Sequence, residues 1–133
     1  MPCTYEVEED TGIICLMLTG TVSLEDRLAM HDKIHLDSRV HRGDLVRILS
    51  DQRDMKNQPT ADDIDAMVQH ASELSSEAST AVRVAAIVTR PVQFGMGRMA
   101  EVRFEDVADM KVFYDADEAR AWLLRKRPDG NEP

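Results

Sequence analysis

The chain has 133 residues, of which 43% are hydrophobic and 31% are charged, and its formal net charge at pH 7 is -9. This length and composition are those of one globular domain with its own core. The acidic balance argues against nucleic acid and anionic membrane surfaces as partners, because an acidic surface repels phosphate groups. Basic partners and neutral small molecules stay open.

Cysteine content and the N-terminus indicate a reduced, non-secreted chain. Cys3 and Cys15 are too few for a disulfide framework or a paired-cysteine metal site. The N-terminus has no basic region followed by an apolar one, so we expect no signal peptide. The longest apolar run, residues 13–18, is too short to span a bilayer. We therefore expect a cytoplasmic protein that is not integral to a membrane.

The first half of the chain predicts a hairpin, a helix and a third strand. Residues 4–9 alternate weakly between polar and apolar side chains, and residues 13–19 are apolar at every position but the last, with a glycine in the turn between them. Ser23 then caps a helix that runs to about Asp37. Residues 45–49 form the third strand, and we expect a polar loop after it.

The second half of the chain continues the alternation of helices and strands. This half has three predicted helices. Capping side chains mark the start of the first and the third, and a proline at the first helical position marks the start of the second. The predicted elements are a helix from Thr60 to near Ala78, a strand over 82–88, a helix from Pro91 to about Glu105, a strand over 111–114 and a helix capped by Asp115. Residues 1–127 thus form one domain, and residues 128–133 are interpreted as a disordered tail.

This order of elements predicts an α/β domain with a five-stranded mixed sheet, in which an N-terminal β-hairpin precedes parallel strands, and with four helices. Of the two glycines in the third helix, we expect Gly95 to point toward the core and Gly97 away from it. The core face of that helix is expected to carry Val92, Met96, Met99 and Val102.

Three segments carry a resemblance to a known family. They are Asp51-Gln52-Arg53-Asp54, residues 84–88 leading to Phe94-Gly95-Met96-Gly97-Arg98-Met99, and residues 112–115 leading to residues 117–123. Over roughly residues 4–125 the chain resembles the SpoIIAA-like branch of the STAS-like superfamily (sulfate transporter and anti-sigma factor antagonist domains). The resemblance implies a β/α superhelix with helices mainly on one side of the sheet. It also implies a small stand-alone bacterial protein of a kind whose function is often unknown.

The resemblance also bears on regulation. In the anti-sigma factor antagonists, an aspartate-serine pair after the third strand carries a regulatory phosphate. Asp51 matches the aspartate, but Gln52 occupies the serine position and cannot be phosphorylated. The resemblance therefore implies a STAS-like module that lacks this kinase-regulated switch.

Two groups of residues are candidates for a partner or ligand rim. Asp51, Arg53 and Asp54 follow a strand at the edge where open α/β sheets tend to bind ligands. Phe94 and Arg98 lie one turn apart on the outer side of the third helix, and an exposed aromatic there can mark a contact surface. The alternative is ordinary surface chemistry, in which Asp51 bonds loop amides and Arg53 pairs with a nearby carboxylate.

His31 and His35 are the metal candidates, because imidazoles at i and i+4 share one helix face. No third ligand is visible, and Asp32 stands where a zinc protease has its glutamate. The alternative is that both histidines pack on the sheet or at a subunit contact. The sequence therefore predicts no metal site and no cofactor.

These observations favour a non-enzymatic cytoplasmic regulatory or protein-interaction module. The alternative is a carrier for a small apolar ligand or lipid in a Met-lined pocket, with Arg53 or Arg98 meeting its polar head; an enzyme with Asp51 as base is a third possibility. A homodimer is expected, because helices on one face would leave the apolar strands 13–18 and 84–88 uncovered on the other. The methionines on the predicted core faces either pack adaptably in the core or line such a pocket. They are Met30, Met67, Met96 and Met99.

Overall fold

The structure is a computed structural model that describes residues 2–40, 43, 45–75 and 81–126. The predicted tail, residues 128–133, and the predicted end of the second helix, residues 76–78, lie outside the described residues. None of the described helices is long and apolar enough to cross a membrane. The elements are β1 (Cys3–Val7), β2 (Ile14–Gly20), α1 (Leu24–Leu36), β3 (Leu45–Met55), α2 (Ala61–Ser75), β4 (Ala81–Ile87), α3 (Pro91–Arg103), β5 (Asp109–Phe113) and α4 (Ala116–Leu123).

The strands form one mixed sheet in the order β1-β2-β3-β4-β5. β1 is antiparallel to β2, and the other neighbouring pairs are parallel. The hairpin turn uses Gly12, whose φ of 74° lies in the left-handed region that glycine adopts without steric cost. A helix joins each parallel pair, which is the usual connection between parallel strands. The prediction of a five-stranded mixed sheet with four helices is confirmed.

The helices cover the two faces of the sheet unequally. α1, α2 and α3 lie on one face, where Ile14 and Val46 belong to the cluster packed with α1. α4 lies on the other face, where Leu123 packs with Leu49 and Ala85. Side chains alternate between faces along a strand, so each central strand contributes to both layers. α4 therefore covers part of the face for which the sequence suggested a second copy of the chain.

α2 stands away from the sheet. It packs against α1 and α3 through a cluster that includes Ile64 and Met67, and in the described part of the chain it has no comparable contact with a strand. Leu16, Ile48 and Val84 lie in the central strands beneath the helices, yet each is only partly buried. Because protein interiors are normally close-packed, these residues indicate a space between the sheet and the helices.

β3 is longer than the sequence predicted. The prediction ended the strand at residue 49 and placed Asp51 to Asp54 in a loop, but the strand includes all four of these residues. Asp51 is paired with Met17 of β2 and with Ile87 of β4. Strand pairing uses backbone N–H and C=O groups, so a polar side chain does not end it. The predicted end of the strand at residue 49 is therefore wrong, and the polar loop follows Met55.

α3 presents a different face to the core from the one predicted. Gln93 is buried, whereas Val92 and Val102 are 56% and 64% exposed, so the prediction that these valines face the core is wrong. Met96 and Met99 are partly buried and pack in the cluster between the helices, as expected. The helix is therefore rotated relative to its predicted orientation.

The cause of this rotation is a close contact at Gly97. A Cβ at Gly97 would lie 2.7 Å from Cγ2 of Val112 in β5, whereas a Cβ at Gly95 would meet no atom within 4 Å. The expectation that Gly95 points toward the core and Gly97 away from it is therefore wrong. Val92 and Val102 are each five residues from Gly97, about 140° around the helix, and so they face outward.

Candidate functional site: a cavity beneath three helices

A cavity of about 230 Å³ lies between the sheet and the helices α1, α2 and α3. Its floor includes the partly buried residues Leu16, Ile48 and Val84. The cavity exceeds the roughly 150 Å³ apolar cavity that holds benzene and approaches the size of small-molecule sites, about 300–1,000 Å³. The methionines in its lining are Met30 of α1, Met67 of α2, Met96 of α3 and Met110 of β5.

The polar side chains of the lining are concentrated at one end. The carboxyl ends of β2, β3 and β4 lie at the same sheet edge as the N-termini of α1, α2 and α3, because each helix follows its strand and returns across the sheet. Arg27, Gln52, Gln58 and Gln93 line the cavity near this edge. Toward the opposite edge, the described lining is apolar apart from His35. The cavity thus has a polar end and an apolar end.

Arg27 supplies a positive charge at the polar end. The residue is 8% exposed, and its guanidinium donates to Sδ of Met55 at 3.1 Å. A thioether sulfur is a weak acceptor. Burial lowers the pKa of Arg27 below its usual range, with Cys3 and Asp63 acting in the opposite direction, yet arginine stays charged at neutral pH. Within the described residues, no carboxylate forms an ion pair with this guanidinium.

Arg27 is not among the site residues predicted from the sequence. Arg53 or Arg98 is expected there to meet a polar head group, but neither residue lines the cavity. Arg27 precedes Met30 by three residues and Ile34 by seven, and all three are buried in α1. This i, i+3, i+7 spacing is the sequence signal that could have placed Arg27 on the inner face of the helix.

His31 and His35 both line the cavity from α1. The ring of His31 stacks on His70 of α2 with 6.2 Å between centroids, and Nε2 of His70 lies 2.7 Å from Oδ1 of Asp32. Burial, helped by the neighbouring His70, lowers the pKa of His31 to about 4, so the ring is neutral at pH 7. Among the residues described, no three His, Cys, Asp or Glu side chains are placed to hold a metal ion. These contacts assign His31 to the packing of α1 against α2.

Gln52 and Asp51 project from opposite sides of β3. Gln52 lines the cavity, and its Nε2 donates to Oγ of Ser50 at 3.1 Å. Asp51 lies on the α4 side by strand alternation, and its carboxylate accepts from Arg53 at 2.8 Å. This bond lowers the pKa of Asp51, which makes the carboxylate a weaker base. Asp54 is exposed at the end of the strand.

Phe94 and Arg98 lie on α3, on the other side of the sheet from Asp51. Phe94 is partly buried rather than fully exposed, and its ring stacks on Tyr114 with 4.6 Å between centroids and 7° between planes. Arg98 is exposed, and a guanidinium nitrogen lies 3.7 Å from the carboxylate of Glu101. The structure therefore places the candidate rim residues in two groups on different faces of the sheet.

Gln93 ties the start of α3 to the end of β3 at the polar end of the cavity. Its Oε1 accepts the backbone N–H groups of Thr89 at 2.9 Å and Arg90 at 3.0 Å. Its Nε2 donates to the carbonyl of Gln52 at 2.9 Å. Gln93 is not among the site residues predicted from the sequence. Its position three residues after an N-cap is the signal that could have found it, because glutamine there bonds back to the cap.

Known proteins place the chain in a family. A sequence model described as SpoIIAA-like matches residues 13–124. The fold is similar to that of an uncharacterized protein from the DUF3478 family, with a SpoIIAA-like fold, from Shewanella loihica PV-4. The TM-score is 0.58 at 19% sequence identity, and the alignment covers 91% of each chain. No curated protein matches the sequence of this chain. The chain therefore belongs to the SpoIIAA-like family, in agreement with the resemblance found in its sequence.

Proposed function

We propose that this chain is a non-enzymatic, cytoplasmic module that binds a small apolar molecule in the cavity beneath α1, α2 and α3. The observation that carries the proposal is the cavity itself, which has a volume of about 230 Å³ and a floor of partly buried aliphatic side chains. Unfilled space of this size costs stability, because the lining loses its packing contacts. A bound apolar molecule would restore those contacts.

The chemistry of the lining supports binding rather than catalysis. Methionines from three helices and one strand line the space, and their flexible side chains adapt to ligands of different shape. Asp51, the candidate base, lies on the opposite side of the sheet and is paired with Arg53. Gln52 lines the cavity, and the resemblance to the anti-sigma factor antagonists implies that it stands at the position of their phosphorylated serine. We propose that ligand occupancy, not phosphorylation, acts at this position.

Filling the cavity tests this proposal. Val84→Phe places a large ring in the floor of the cavity, and we expect it to abolish binding of the neutral fluorescent dye Nile red, which the wild-type chain should bind with enhanced emission. Val92→Phe is the matched control, because it makes the same change on an exposed face of α3 and should leave dye binding unchanged. Native mass spectrometry of freshly purified wild type should show a retained small molecule.

Two results would contradict the proposal. One is a wild-type chain that purifies empty and does not bind Nile red. The other is equal dye binding by Val84→Phe and wild type, which would place the dye outside the cavity. Circular dichroism and thermal unfolding of each variant show whether a loss of binding reflects a loss of fold.

A second candidate function is protein interaction through the outer surface of α3. The observation that favours it is an exposed aromatic pair: Tyr114 is 51% exposed and its ring stacks on Phe94 of α3. We expect Tyr114→Ala combined with Arg98→Glu to lose proteins that the wild-type chain recovers in a pull-down. Identical recovery by the variant and the wild type would remove this surface as the interaction site.

The homodimer stays a prediction. The argument for a dimer from uncovered apolar strands is weakened by the structure, because α4 covers Leu49, Ala85 and Ile87 on the face that a second copy was expected to cover. Met17 is still 42% exposed on the α4 side of β2. Light scattering that gives the mass of one chain at micromolar concentration would contradict a dimer.

A further inference from the structure

We infer that the ligand of the cavity is an amphipathic carboxylic acid, whose carboxylate pairs with Arg27 and whose hydrocarbon part extends over the central strands toward the apolar end. This inference rests on the proposed function, since it names the class of molecule that the same cavity takes. Three observations carry it: the charge of Arg27, its lack of an acidic partner, and the separation of the polar and apolar ends of the lining.

Arg27 is a buried cation without a matching anion. It is 8% exposed, and its one hydrogen bond within the described residues is to the sulfur of Met55. Asp63 acts on it electrostatically, but Oδ2 of Asp63 accepts the backbone N–H of Thr60 and no ion pair forms. A buried charge in a folded protein is normally paired, because an unpaired one is costly to desolvate. A bound carboxylate would supply the missing charge and accept two parallel hydrogen bonds from the guanidinium.

The position of Arg27 in α1 strengthens the attraction for an anion. It lies in the fourth position of the helix, close to the N-terminus, where the helix dipole also attracts negative charge. In the described lining Arg27 is the one lysine or arginine. A singly charged head group is therefore matched by the site, whereas a doubly charged phosphate would bring a second negative charge with no cation to pair it.

The shape of the cavity fits a molecule with a head and a tail. Arg27 and Ile34 are seven residues apart on α1, about 10 Å along the helix axis, and both line the cavity. Ile34 belongs to the cluster that includes Val46, and neither side chain offers a hydrogen bond. A hydrocarbon tail that starts at Arg27 would run along this apolar lining.

Titration calorimetry with matched ten-carbon probes tests the inference. Decanoate, 1-decanol and decyl phosphate are each titrated into the full chain at pH 7.4, below the concentrations at which they form micelles. We expect wild type to bind decanoate about 10- to 100-fold more tightly than 1-decanol, because a hydrogen bond to a charged group is stronger than one to a neutral group. Decyl phosphate should bind more weakly than decanoate.

Variants of Arg27 separate charge from packing. Arg27→Met keeps a long side chain without charge, and it should lose the preference for decanoate while still binding 1-decanol. Arg27→Lys should retain most of the preference. Lys33→Gln is the matched control, because it removes a positive charge from an exposed position of the same helix and should change neither affinity.

The outcomes distinguish this inference from the proposed function. Equal affinity of wild type for decanoate and 1-decanol, tighter binding of decyl phosphate, or an unchanged preference in Arg27→Met would each overturn the carboxylate assignment while leaving an apolar ligand site in place. If wild type binds none of the three probes and does not bind Nile red, the proposal of a ligand site is itself contradicted. The wild-type comparison of probes decides the matter even if Arg27→Met does not fold.

Discussion

Replacement of Gln93 with leucine is expected to lower the free energy of unfolding by about 3–4 kcal/mol. The buried amide accepts the N–H groups of Thr89 and Arg90 and donates to the carbonyl of Gln52, so one substitution removes these three hydrogen bonds. It also removes a longer one, 3.4 Å, which the Thr89 hydroxyl donates to Oε1. Each is worth about 1 kcal/mol net, and more where a buried group is left without a partner. Leucine matches the volume of glutamine but bonds to none of these groups.

The measurement is urea unfolding of wild type, Gln93→Leu and a control, Gln69→Leu. Gln69 is exposed on α2 and bonds to Glu73 four residues away, so the same substitution there should change stability by no more than about 0.5 kcal/mol. If the two variants lose equal stability, Gln93 does not hold α3 to β3. Because Gln93 also lines the cavity, we expect Gln93→Leu to weaken ligand binding at the polar end as well.

Adding a single methyl group at Gly97 should destabilise the fold by about 1–3 kcal/mol, the usual cost of overpacking a core. The new Cβ would lie 2.7 Å from Cγ2 and 2.8 Å from Cβ of Val112, so α3 and β5 must move apart. In contrast, Gly95→Ala should stabilise the chain by about 0.5–1 kcal/mol, because alanine favours a helix and a Cβ at Gly95 meets no atom within 4 Å.

The two glycine variants are a matched pair in one helix, and thermal and urea unfolding measure both. A double variant, Gly97→Ala with Val112→Ala, should show partial favourable coupling, because the alanine removes the Cγ2 contact at 2.7 Å but keeps the Cβ contact at 2.8 Å. Destabilisation by Gly95→Ala equal to that of Gly97→Ala would contradict the observed orientation of α3.

The sequence predicted the order of the elements and the mixed sheet, because these follow from local patterns. Capping residues such as Ser23 and Asp115 marked helix starts, and the structure shows both in place. The end of β3 was wrong, since Asp51 and its neighbours have a polar composition typical of a loop. Their strand conformation is imposed by pairing with β2 and β4 on both sides.

The site was predicted less well than the fold. Gln52, Met30, Met67 and Met96 were singled out in the sequence and line the cavity, but the residue expected to meet a polar head was Arg53 or Arg98 instead of Arg27. An arginine in a helix is normally solvated, and its burial depends on which face of α1 meets the sheet. That orientation is a property of packing between distant segments.

What the amino-acid sequence determined by itself is the α/β fold and its single sheet, because hydrophobic period, turns and caps act over a few residues. Three of its segments also carried the resemblance to the family. The tertiary structure alone decided the rotation of α3, set by the contact between Gly97 and Val112, and the space that opens where α2 stands away from the strands. It also decided that Arg27 lines this space. The rotation of α3 and the space beneath α2 arise from the distances between packed elements, which no local pattern encodes.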